Sequence, residues 1–269
     1  MNVRESEDGA VVLLHSCAVD TAKNEPGGSS QRRYNDLLKA WRRRNRRLFV
    51  VLGVLCGAIL AASAVAGWTW PSQRWAAGFL GGVASAFFIL LRLSPPGWIE
   101  NWQQGAWGEM ATGKVLGPLE EEGWVVLHDL PAERGNLDHI VIGPGGVFLL
   151  DSKRLSGSVN VGPDGVTVRR FDDPDLTYKH PGSGHLLGLA RETHDRVRQA
   201  TRISQWVTPV MVIWAEFPQR IAEQQNCHYV HGDELADWLR AQQTAIAANR
   251  IGQVASAVSS SWATPTTRS

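Results

Sequence analysis

Two aspartates, Asp138 and Asp151, flank a Gly-Pro-Gly-Gly turn at residues 143–146, with strand-like runs rich in Val, Ile, Leu and Phe on either side. Carboxylates set opposite one another repel unless a cation intervenes, so this spacing outlines a metal site with hard oxygen donors. The glycines supply the positive φ that a tight hairpin needs. If Ile142 pairs with Val147, the register runs inward until Asp138 faces Asp151. Alternation with period two then puts Asp138, Ile140 and Ile142 on the face shared by Val147, Leu149, Asp151 and Lys153. A three- or five-residue loop would slip the pairing by one and send the aspartates to opposite faces. Without a cation, the same residues are a solvated hairpin end.

The elements that must carry this hairpin are legible around it. Residues 103–122 read as a helix, with Met110, Val115, Leu116 and Leu119 as its apolar positions. Trp124 to His128 is a short strand, a Gly- and Asp-rich excursion through VTVRRF follows the hairpin, and a helix runs from about Leu186 to Ile203. Val207 to Trp214 is a continuous apolar run, expected as a buried strand. HYVH at 228–231 closes the sheet, and Asp233 starts a helix with Leu235, Trp238 and Leu239 facing inward. Helix, three strands, helix and strand is an α/β order with a mixed sheet.

Ahead of this domain the chain is apolar. Residues 48–67 contain no charge and are long enough to cross a hydrocarbon core of about 30 Å, and 75–91 reach the lower end of spanning length. The run before them carries Arg32, Arg33, Lys39, Arg42, Arg43, Arg44, Arg46 and Arg47, which predicts an inner-membrane protein with both termini cytoplasmic. Trp68, Trp70 and Trp75 suit the outer interface, and Trp98 and Trp102 the inner one. The leader before the first span is too long for a secretory signal. The expected organisation is a loose cytoplasmic tail (1–31), a basic juxtamembrane segment (32–47), the two spans, a folded domain (98–241) and an Ala- and Ser-rich tail that frays (242–269). Cys17, Cys56 and Cys227 are odd in number and far apart, so neither a disulfide framework nor a zinc site is indicated.

GAWGEMATGKVLGPLEEEGWVVLHDL, NLDHIVIGPGGVFLLDSKRLSG and the late apolar strand together resemble the nuclease-related domain (NERD) family over about residues 105–240. The shared features are Gly108-Glu109, Asn136 with Asp138 and His139, the Gly-Pro-x-Gly turn, and Asp151-x-Lys153 followed by Gly157. Such domains look like members of the PD-(D/E)xK superfamily, so the resemblance implies a restriction-endonuclease-like mixed sheet flanked by helices. It also implies that Asp138 and Asp151 ligate a metal, that Glu109 is a third acid from the helix, and that Lys153 is their basic catalytic partner. The implied cofactor is Mg²⁺ or Mn²⁺. The plainer alternative for Lys153 is a cation balancing two acids in a structural cluster. No Gln stands between Leu186 and Val197, where family members often carry one.

Charge sets a limit on nucleic-acid binding. From Trp98 onward there are 15 Lys plus Arg against 20 Asp plus Glu, a net of −5, whereas phosphate binders are usually basic. Arg191, Arg198 and Arg202 share one helical face with Asp195 between them, and Arg169 and Arg170 lie upstream. A solvated, salt-bridged helix accounts for that stripe. GEMATGKV at 108–115 misses the P-loop, because Val115 lacks the hydroxyl and no strand precedes it. His180, His185 and His194 read as surface or capping residues, Cys227, His228 and His231 as a chance cluster, and His139 as a core or supporting group on the face opposite Asp138. The expectation is a membrane-anchored, Mg²⁺-dependent phosphodiesterase with the lipid bilayer and DNA as partners. The rival is a noncatalytic tethered scaffold with a vestigial site, and a membrane-associated sensor is a third reading.

Overall fold

The computed structural model describes residues 25–132, 135–163, 165–201 and 204–263. The expectations for the first 24 residues, Cys17 and Arg202 lie outside them. Three helices come first: α1 (Gly28–Arg44), α2 (Arg46–Thr69) and α3 (Arg74–Leu93). The spans Arg46–Thr69 and Pro71–Leu93 are long and apolar enough to cross a membrane. Their large side chains face outward, among them Val54 at 67% exposure and Phe79 at 69%. An exposed apolar surface of this extent marks a membrane or protein contact. Small residues let the two helices approach closely, with Gly81 against Leu60 and Ser63 and Gly53 against Phe88.

The folded domain begins with α4 (Gly97–Glu121) and continues through β1 (Val125–Ala132), β2 (Gly135–Gly143), β3 (Gly146–Gly162), β4 (Gly165–Arg170) and β5 (Thr177–Lys179). After α5 (Gly184–Thr201) come β6 (Val207–Glu216), β7 (Ile221–Gln224), β8 (Cys227–His231), α6 (Leu235–Arg240) and α7 (Ala248–Ala263). The sheet runs β1-β2-β3-β6-β8-β7, with β4 on the far half of β3 and β5 beside it. β3 pairs antiparallel with β2 and parallel with β6, and the sheet is mixed as the sequence predicts.

Alternation along the strands builds two cores. Leu116 and Leu119 of α4 and Leu235 and Leu239 of α6 cover Val126, Val141, Phe148, Leu150, Val210 and Val212. On the other face Ala190 and Val197 of α5 and Ile251, Val254, Val258 and Trp262 of α7 cover Ile140, Ile142, Val147 and Leu149. A mixed α/β sheet flanked by helices results.

Two stretches depart from the sequence expectations. The residues assigned to the end of the tail and to a juxtamembrane segment form α1, which folds back along α4 as an antiparallel partner. The tail expected to fray contains α7, because Ile251, Val254, Val258 and Trp262 recur at helical spacing and bury one face, none of them above 6% exposed.

Candidate functional site

The hairpin has the register that brings the two aspartates together. Ile142 pairs with Val147 and His139 with Leu150, so a two-residue Pro144-Gly145 loop joins the strands. Recorded pairing of β2 with β3 stops there. The next pair, Asp138 and Asp151, stands where the strands part, and Asp138 Oδ2 accepts a 2.8 Å hydrogen bond from the Ser152 backbone N–H across the gap. Lys153, two residues on and on the same face, donates to Asp151 Oδ1 at 2.7 Å.

Glu109 arrives from α4, and its helix is held by close packing and a buried polar network. A Cβ on Gly108 would lie 3.4 Å from Arg154 Cβ, so α4 and β3 are in contact at the site. Thr112, one turn on, shares a 2.8 Å hydrogen bond with Ser152 Oγ and accepts another of 2.8 Å from the Trp214 indole N–H. These bonds tie α4 to β3 and β6 immediately behind the acids. Glu109, Asp138, Asp151 and Lys153 line a single cavity of about 620 Å³.

Electrostatics in the cavity are those of crowded acids. Loss of water pushes the Asp138 carboxyl well above the usual carboxylate range, and the charges of Asp151 and Glu109 push the same way. Glu109, 6% exposed, is also raised by burial, against which the Ser30 hydroxyl donates to Oε1 at 2.7 Å. Burial opposes the charge on Lys153, but Asp151, Asp138 and Glu109 together outweigh it and its pKa moves up.

The donor chemistry, three carboxylates that repel one another, fits a hard divalent cation. Among the described residues no three acid, histidine or cysteine side chains are gathered closely enough to hold an ion as they stand. Ser30 engages Glu109 and Lys153 engages Asp151, so ligation at this cavity requires those contacts to rearrange.

Behind the site, His139 is fully buried on the opposite face and its Nδ1 lies 2.7 Å from His128 Nδ1. Burial, with His128 adding to it, lowers its pKa to about 3, so the ring is neutral. His180 and His185 are walls of the cavity rather than remote surface groups. Burial and the neighbouring Lys153 lower the His180 pKa. The sequence signal for this pair is the Pro-Gly-Ser-Gly loop between them, placed directly before a helix, since loops on a rigid scaffold carry binding residues.

α1 completes the enclosure. Ser29, Ser30 and Arg33 line the cavity. The Ser29 N–H donates to Asp129 Oδ2 at 2.9 Å, Arg32 pairs with the same oxygen at 3.3 Å, and Asn136 donates to Asp129 Oδ1 at 2.6 Å. The spacing of Tyr34, Leu37, Leu38 and Trp41 marks an amphipathic helix, but no local pattern announces that it folds back from the apolar hairpin onto the site. The remaining candidates stay apart. Arg191 and Arg198 are exposed on α5, Arg170 is ion-paired with Asp172, and Cys227, His228 and His231 lie along β8 with the thiol buried. GEMATGKV lies within the continuous helix α4.

Residues 104–214 match the family model described as the nuclease-related domain. No curated protein and no solved structure matches the chain. The matched span contains Glu109, Asp138, Asp151 and Lys153 and leaves α1 outside. Behind two apolar helices, therefore, the chain carries a stretch, residues 104–214, that matches the nuclease-related (NERD) domain.

Proposed function

We propose that the chain is a membrane-anchored, metal-dependent phosphodiesterase that cuts DNA at the cytoplasmic face. The observation that carries this reading is the convergence of Glu109, Asp138, Asp151 and Lys153 on one cavity inside the nuclease-related domain. Asp138 and Asp151, with Glu109, would hold Mg²⁺ or Mn²⁺. When bound, the cation supplies Lewis-acid polarisation of the phosphoryl group and an activated water.

The protein groups do the rest by position and charge. The Ser152 N–H fixes Asp138 at the strand gap, so that carboxylate needs little reorganisation to ligate. Lys153 is kept protonated by the acids around it and can move from Asp151 to an oxygen of the phosphodiester, neutralising charge that develops there. His180, held neutral on the facing wall, can hydrogen-bond a substrate or water without adding charge.

That no three of the described acid, histidine or cysteine side chains stand close enough to form a ligand set favours the second reading, a noncatalytic scaffold tethered by α2 and α3. One assay separates the two. The full chain in lipid nanodiscs is incubated with supercoiled, linear and single-stranded DNA and with RNA, in Mg²⁺, Mn²⁺ or EDTA. Metal-dependent cutting that Asp151→Ala removes supports the enzyme. Identical behaviour of wild type and Asp151→Ala, or no cutting with either metal, leaves the scaffold.

A further inference from the structure

We propose that Arg33 of α1 is a phosphate-binding residue of the cavity, and that the first turns of α1 seat a nucleic-acid strand as it enters. This rests on the reading of the site as one for phosphodiesters. Two adjacent arginines behave differently. Arg32 is engaged by Asp129 at 3.3 Å. Arg33 lines the cavity and, among the described residues, has no carboxylate partner; its guanidinium carbon lies 5.9 Å from the centroid of the Trp102 ring. A cation stacked on an indole keeps its charge and its outward N–H donors, the form in which arginine grips phosphate.

The seating of this turn is specific. A Cβ on Gly113 would come within 2.5 Å of Pro26, and one on Gly27 within 2.8 Å of the Ala106 carbonyl, so the start of α1 is set directly on α4. Ser30 and Glu109 then join across the same contact. α1 also changes the charge argument. Its six Lys and Arg against Asp36 add +5 to the −5 of residues 98–269; Arg42, Arg43 and Arg44 stand at its far end, so the part of that charge near the cavity comes from Arg32 and Arg33.

A lipid headgroup is the competing anion. Arg42, Arg43 and Arg44 sit at the end of α1 that meets α2 and belong to the bilayer edge. Arg33 lies about three turns away, roughly 16 Å along the helix at about 1.5 Å per residue, which places it with the cavity rather than the headgroups.

The test uses the full chain in nanodiscs and a short fluorescein-labelled single-stranded DNA, with anisotropy read in EDTA across a salt series, so that neither metal nor turnover enters. Arg33→Ala is expected to weaken binding roughly tenfold at low salt and to lower the salt slope by about 0.7, one phosphate contact. Arg33→Lys should keep the slope, and Arg44→Ala should bind as wild type. Equal binding by wild type and Arg33→Ala, absence of strand binding by wild type, or an equal loss in Arg44→Ala overturns the proposal. So does anionic lipid in the disc displacing the strand from wild type but not from Arg33→Ala, since a headgroup would then hold that arginine. Failure of Asp151→Ala to affect cutting would sink the catalytic reading and leave this binding result standing.

Discussion

Asp138 is where the cavity's chemistry and its stability conflict. A carboxyl whose pKa is raised in the folded state binds its proton more tightly there than in the unfolded chain. Its effect on stability therefore turns unfavourable as pH rises from the ordinary carboxylate value of 3.8 through the folded one. Asp138→Asn keeps an acceptor for the Ser152 N–H and removes the charge. In EDTA at neutral pH it is expected to raise Tm by a few degrees, about 1–2 kcal/mol, while eliminating metal-dependent cutting. Mg²⁺ should raise the Tm of wild type and leave Asp138→Asn unmoved, because only a folded state that binds the ion gains from it. Thermal melts with and without Mg²⁺ check both; a lower Tm for the variant in EDTA would mean that the charge is not strained.

His139 gives the opposite sign. Folded, the ring stays neutral to about pH 3, whereas the unfolded chain takes up the proton near 6.5. Between those values the unfolded state binds more protons, so stability falls as pH drops from 6.5 toward 3. Denaturant titrations of wild type and His139→Phe over this range are expected to converge on acidification, as the wild type loses what the variant cannot. Parallel curves would refute neutral burial.

At the scale of elements, the site depends on how α4 is clamped. Thr112→Val keeps the volume but leaves the Trp214 indole and the Ser152 hydroxyl without their shared partner, a change expected to cost about 1–3 kcal/mol by chemical denaturation. Gly113 tests the other side of the helix. Replacing a helical glycine with valine would ordinarily be neutral or mildly favourable, yet here the side chain would strike Pro26. Gly113→Val is expected to lift the start of α1 and speed tryptic cutting within that arginine-rich helix, with little change in the melt of the sheet. Unchanged cutting would show that α1 is not seated there.

These elements also show what the chain discloses by itself. The β2–β3 register was legible because a one-residue slip would turn Ile140 and Ile142 out of the core; of the turn glycines only Gly146 takes the positive φ expected of them, while Gly143 makes room for the Trp124 ring. Ile251, Val254, Val258 and Trp262 carried the period of α7, though alanine and serine around them masked it. α1 was not recognised as part of the site: Tyr34, Leu37, Leu38 and Trp41 recur at helical spacing and form the half-buried stripe of an otherwise polar helix, but they stand within a run of arginines read as topogenic. Its polar attachments, to Asp129 and Glu109, are long-range, and such pairings leave no trace in local spacing. Asp138, Asp151 and Lys153 could be set on one face from the hairpin register and Glu109 was named only through the resemblance to the NERD family, whereas His180 and His185 line the cavity through the path of the loop between them.

For the whole molecule, the two-helix stalk links the apolar hairpin to the site. α1 runs from the cavity down to α2, and α4 runs from the end of α3 up to Glu109; 12 residues of helix separate Gly97 from Glu109, roughly 18 Å at about 1.5 Å per residue. The cavity thereby stands about that length of helix away from α3. The density of arginine before α2 against the single Arg74 between the apolar helices predicts that this surface is the cytoplasmic one. A fluorescent-protein reporter fused after Ser269 should therefore be bright, and a phosphatase reporter active only outside the cytoplasm should be silent. The reverse pattern would place the cavity on the far side of the membrane, away from intracellular DNA, and would require a different substrate for the same acids. Replacing Arg42, Arg43, Arg44, Arg46 and Arg47 by glutamine is expected to scramble reporter orientation while leaving Arg33 and the cavity intact, because charge at the bilayer edge and charge at the site occupy opposite ends of α1.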